Sequence, residues 1–103
     1  MPQINFFHSS DITIPSDLLS QIEATIQKHE NNSVPCQGRV FCATQHHHPG
    51  AMLDIAVLAK PHRDSTWLQQ LTEALTQAMQ AALPEGTRCG IEIRFLQHYT
   101  LLS

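Results

Sequence analysis

Apolar and polar positions alternate from residue 3 to residue 8, with Ile4 and Phe6 on one side and Asn5 and Phe7 on the other. A period of two predicts a strand over about 3–8. After Pro15 and Ser16, Leu18, Leu19, Ile22 and Ile26 recur at spacings of three and four, which predicts an amphipathic helix over about 16–29, ending near Asn31, Asn32 and Ser33. The β-branched and aromatic run Arg39-Val40-Phe41-Cys42-Ala43-Thr44 predicts a second strand, and His46-His47-His48-Pro49-Gly50 a break. Met52 to Ala59 is apolar except for Asp54, as expected of a central strand covered on both faces. Asp64 and Ser65 offer helix-starting oxygens ahead of Trp67, Leu68, Leu71, Leu75, Ala78, Met79 and Ala82, so a second helix is expected over about 65–83. Pro84 and Gly86 stop it, and Ile91, Ile93 and Phe95 then alternate with Glu92, Arg94 and Leu96 in a last strand over about 89–97.

The element order is therefore βαββαβ in a single domain, 1–103. Shifting the second half onto the first by 49 positions pairs Ile4 with Leu53, Phe6 with Ile55, Leu19, Ile22 and Ile26 with Leu68, Leu71 and Leu75, and Arg39 with Arg88. The expected fold is α/β (α+β): a duplicated βαβ with a four-stranded mixed sheet and two helices on one face. The competing arrangement with the same order is the ferredoxin-like sandwich, whose antiparallel sheet interleaves the two halves.

A net charge of −3 with six Lys plus Arg leaves no basic stripe for a phosphate backbone, so nucleic acid is not an expected partner. No run of 18 apolar residues and no basic-then-apolar leader is present, so no membrane association and a cytoplasmic location are expected. Cys36, Cys42 and Cys89 form no CxxC pair and are expected to be reduced and partly buried. His46, His47 and His48 invite a metal, but three consecutive residues rarely point at one ion, and no HxH or HExxH partner accompanies them. The expectation is no metal site, with a weak site formed by these histidines and Cys42 as the rival.

Pro2 is the candidate for catalysis. With Met1 removed it would be a secondary amine at the start of a strand, with a reference pKa of about 7.7–8.0 that falls beside cations or on desolvation. With Met1 in place the Pro2 nitrogen is an amide without a basic lone pair. Arg39, on the second expected strand, and Arg63, at the start of the second helix, are the candidate substrate-binding residues, because a guanidinium can grip a carboxylate by two parallel hydrogen bonds. Arg63 could instead serve a salt bridge to Asp64 or Glu85. Phe7 and Phe41 are expected in the core or, less simply, in a pocket wall. His8 and His98 are expected to be hydrogen-bonded strand residues, with an assisting role as the alternative.

Pro2, Gly38-Arg39-Val40, the segment Ala59-Lys60-Pro61-His62-Arg63-Asp64-Ser65 and the duplicated βαβ together make the chain resemble the tautomerase superfamily, and within it the 5-carboxymethyl-2-hydroxymuconate isomerases. Pro61-His62 stands where that family has a glycine-rich turn. The resemblance implies a homotrimer in which residues 99–102 extend a neighbour's sheet, and a cofactor-independent isomerase of a small unsaturated keto or enol carboxylate in aromatic catabolism. In that reading Pro2 is both base and acid, while Arg39 and Arg63 bind and polarise the substrate, with a site shared across a subunit boundary as one form of the arrangement. The rivals are a non-catalytic ferredoxin-like binding module and a relative that uses the same amine for hydration or dehalogenation.

Overall fold

The six expected elements all form in the computed structural model, which describes residues 1–30 and 34–102. The strands are β1 (Gln3–Ser9), β2 (Gln37–Ala43), β3 (Ala51–Leu58) and β4 (Cys89–Leu96), and the helices are α1 (Leu18–Gln27) and α2 (Ser65–Ala82). Helix α1 is shorter than its apolar pattern. Residues 15–17 form a turn whose Pro15 carbonyl accepts the Leu18 N–H, and Asp17 supplies no side-chain cap. The expected stop at Asn31, Asn32 and Ser33 lies outside the described residues. Helix α2 begins where the sequence indicates, with the Asp64 carboxylate accepting the Trp67 N–H at 2.9 Å. It ends ahead of a tight turn in which Gly86 takes φ +82°, a conformation that favours glycine.

The sheet order is β2-β1-β3-β4. Strands β1 and β2 are parallel, β3 and β4 are parallel, and β1 meets β3 antiparallel with Ile4 opposite Ile55. Each half is thus a closed βαβ unit and the halves join through their first strands, which is the duplicated arrangement and not the interleaved one. Both helices lie on one face, where Ile4, Phe6, Leu53, Ile55 and Val57 from the sheet meet Ile22, Ile26, Leu71 and Leu75, all essentially inaccessible.

The two units differ in length. Register steps of Gln3 to Gln37 in the first and Ala51 to Cys89 in the second make the second four residues longer between its strands. The 49-position shift therefore matches first strands and helices but slips on the second strands. Arg39 corresponds to Glu92, not to Arg88, and Cys36 corresponds to Cys89.

Among the described residues, no helix or strand packs on the other face of the sheet. Phe7 and Phe41 stack there at 4.9 Å, each about two-fifths exposed, so neither belongs to the core of the chain. Strand β2 is exposed along all seven residues. Asp54, the polar exception in β3, also lies on this face, clasped by Arg94 through Nε–Oδ1 and Nη2–Oδ2 contacts of 3.1 Å. Among the described residues no helix is long and apolar enough to cross a membrane.

Candidate active site at the start of the first strand

Pro2 has no significant exposure and its ring lies on the helix-bearing side, two residues before Ile4. Its carbonyl accepts the Gln37 N–H at 3.0 Å, which fixes it to the start of β2. Continuing the two registers by one residue sets Pro2 beside Cys36 and across from Val57. Proline suits this place because the first residue of a strand need not donate to the ladder.

Arg39 stands on the open face, opposite Asn5. Its Nη1 donates to Asn5 Oδ1 at 2.9 Å and its Nη2 to Gln3 Oε1 at 3.3 Å, so the fork leans back over β1 to the residue after Pro2. Gln3 in turn donates from Nε2 to the Tyr99 hydroxyl at 3.0 Å, drawing the segment after β4 to the same place. The partners of Arg39 are amides, which orient a guanidinium without neutralising it. Within one chain, Pro2 and Arg39 occupy the same end of β1 but opposite faces of the sheet.

Arg63 is placed differently. Its side chain is 3% exposed and faces the Glu30 carboxylate, itself 5% exposed. Nε and Nη2 donate to Glu30 Oε1 at 3.0 and 2.8 Å, and Nη1 donates to the Leu58 carbonyl at 2.8 Å. The guanidinium also lies over the Trp67 ring at 5.5 Å, and Trp67 Nε1 donates to the His29 carbonyl. Glu30, and not Asp64 or Glu85, is its partner. Arg63 thereby binds the end of β3 to the residues that follow α1. Burial raises the Glu30 carboxyl, but hydrogen bonds from His62 and Arg63 outweigh it and leave the group below its ordinary value.

Cys36, beside Pro2, donates its backbone N–H to Glu23 Oε2 at 2.6 Å. Burial, with the negative charges of Glu23 and Glu30, pushes its thiol up to about 11, while the chain-terminal ammonium pulls it the other way. Sequence reading did not single out Glu23 or Glu30, and it placed Tyr99 only in a segment extending a neighbour's sheet. Glu23 falls on a half-buried helix position that a solvated residue could fill equally, and the Glu30 and Tyr99 contacts join distant parts of the chain.

The histidines lie elsewhere. His8 is the last residue but one of β1, about 20 Å from Pro2 at strand rise, and bonds through Nδ1 with the Ser9 carbonyl. His46 faces Asp11 at 3.7 Å, while the rings of His47 and His48 lie against each other. His98 is exposed, within 3.4 Å of Thr100 Oγ1. Among the described residues no group of three His, Cys, Asp or Glu gathers as metal ligands would. All three cysteines are free, with Cys36 and Cys89 half-buried and Cys42, contrary to expectation, exposed.

Paired parallel βαβ units joined antiparallel, with both helices on one face, define a tautomerase-like fold. The solved structures that this chain is similar to include Leishmania major MIF2, at TM-score 0.69 and 10% identity over 98% of this chain and 93% of that one. A 5-carboxymethyl-2-hydroxymuconate delta-isomerase matches at TM-score 0.69 and 12% identity, over 100% of this chain and 89% of that one. A fused 4-OT described as a symmetric trimer matches at TM-score 0.69 and 19% identity, over 91% and 85%. No protein-family profile matches the chain, and no curated protein does. Identities this low carry the fold alone.

Proposed function

We propose that the chain is a cofactor-independent tautomerase or isomerase of a small unsaturated keto or enol carboxylate, working through the Pro2 amine after Met1 is removed. Arg39 carries this reading: it is a guanidinium fork at the Pro2 end of β1, oriented by Asn5 and Gln3 and left with its full charge. A substrate carboxylate would replace or join those amides in two parallel hydrogen bonds. The neutral amine removes a proton beside the carbonyl and returns it further along the conjugated system, and Arg39 offsets enolate charge as it develops. One base serves both transfers when both carbons are held within its reach.

Pro2 and Arg39 face opposite sides of one sheet, so the reading includes assembly. A homotrimer, supported by the trimer among the similar structures, would bring Arg39 of one copy to the Pro2 end of another. Arg63 acts from behind. Three of its donors are held by Glu30 and Leu58, and its contribution to substrate binding is through the two N–H groups that remain. The likeness to a 5-carboxymethyl-2-hydroxymuconate isomerase makes unsaturated dicarboxylates the first substrates to try.

The test is enol-to-keto conversion of 2-hydroxymuconate-like acids by protein whose intact mass shows Met1 absent. Pro2→Ala and Arg39→Ala should each lower kcat/KM by at least about 100-fold, the scale of one acid–base or electrostatic group. Turnover indifferent to Pro2, or no turnover by the free-proline protein, would favour a binding module.

A further inference from the structure

We infer that Tyr99 is a second substrate-binding residue, whose hydroxyl Gln3 holds beside Arg39 to take the keto or enol oxygen of the acid whose carboxylate Arg39 grips. The inference rests on the reading of Arg39 as the carboxylate ligand and asks nothing of the Pro2 nitrogen. It begins from one amide with both ends in use. Gln3 Oε1 accepts from Arg39 Nη2 at 3.3 Å, and Gln3 Nε2 donates to the Tyr99 hydroxyl oxygen at 3.0 Å. A guanidinium carries donors only, so the amide oxygen has to face Arg39 and its NH₂ has to face Tyr99. The phenol oxygen is therefore an acceptor here, and its own proton is directed away from Gln3. Guanidinium and hydroxyl stand one amide apart, with Gln3 and Tyr99 half-buried and Arg39 exposed.

The neighbours on this face leave both groups available. Two of the five N–H groups of Arg39 are taken by Asn5 and Gln3, and the rest can meet a carboxylate. Among the described residues the Tyr99 proton has no acceptor. Across β1 from Gln3 stands Ala56, which has no polar side-chain atom, and beyond it Arg94. That second guanidinium is already clasped by Asp54 at 3.1 Å, with Glu92 at 3.6 Å, so it is neutralised where Arg39 is not. Farther along the same tail, Thr100 meets His98. The two donors suit different oxygens of one ligand. The full charge of Arg39 matches a carboxylate, while a neutral phenol matches a neutral carbonyl and binds it more strongly as enolate charge develops. Gln3 is the positioning residue that sets one against the other.

The test is binding, read by NMR titration with 2-oxobutanoate and with butanoate, two acids that share the carboxylate and differ in the oxygen assigned to Tyr99. The protein is the full chain with Met1 shown absent by mass. Wild type should bind the oxo acid about tenfold more tightly, the scale of one hydrogen bond. Tyr99→Phe keeps the ring and should remove that preference by weakening the oxo acid alone, its unchanged affinity for butanoate showing the rest of the site intact. Arg39→Ala should weaken both acids. In Gln3→Leu, where the hydroxyl has lost its holder, adding Tyr99→Phe should change the ratio no further. Equal affinities in wild type, or a preference that survives Tyr99→Phe, overturn the inference. A Tyr99-dependent preference in a protein that turns over no acid would sustain it while the isomerase reading fell, and turnover that depends on Pro2 and Arg39 without the preference would do the reverse.

Discussion

Arg63 joins the residue type of a carboxylate ligand to the place of a fastener in the fold, paired with Glu30. A cation at a helix start is unfavourable by itself, because the helix dipole presents positive charge there. Glu30 offsets that cost from 33 positions away. Removing one partner of a buried pair leaves the other charge stranded, so Arg63→Ala is expected to lose about 3–5 kcal/mol in urea unfolding. The pair also has a pH signature. Glu30 is held below its ordinary value of 4.5, so its contribution is complete above that pH and disappears as pH falls through the lowered value. Wild type should therefore lose stability in that acid range more steeply than Arg63→Ala. Pro2 and Arg39 were legible as candidates because each has a residue type suited to the chemistry and a place near a strand start. Glu30 was not, since nothing local marks a helix-end glutamate as the partner of a distant arginine.

The elements were legible because strand and helix periods are separate and the turn residues stand between them. Ends followed local chemistry less evenly. The start of α2 came out at the expected residue because Asp64 makes a side-chain cap, while α1 starts later than its pattern because Pro15 to Asp17 settle into a turn. Asp64→Ala is accordingly expected to cost about 1 kcal/mol, measured by thermal or urea unfolding. The slip of four residues between the two units could not be seen in the 49-position match, since apolar residues one turn apart on a helix preserve the same stripe. That slip is why Arg88 looked equivalent to Arg39 and is not.

At the scale of the whole molecule, the sheet has one packed face and one open face. The stacked Phe7 and Phe41, the fully exposed β2 and the polar row from Arg39 to Arg94 make that face the natural contact for further copies. In the proposed homotrimer, Phe41→Glu is expected to shift the particle to monomer in analytical ultracentrifugation while the circular dichroism of the monomer is retained. Sequence reading could place Phe41 on a strand but not decide which face it takes, because its alternation suits core and interface equally. The hydrogen bond between Gln3 and Tyr99 carries a last consequence. It draws the two ends of the described chain together, so a short peptide could join them and a new opening could be made in the exposed stretch 44–48. Such a rewired chain would keep every strand neighbour and every core contact, yet the Pro2 nitrogen would become an ordinary peptide amide. Architecture and chemistry would come apart at a single bond, with the shape intact and the amine gone.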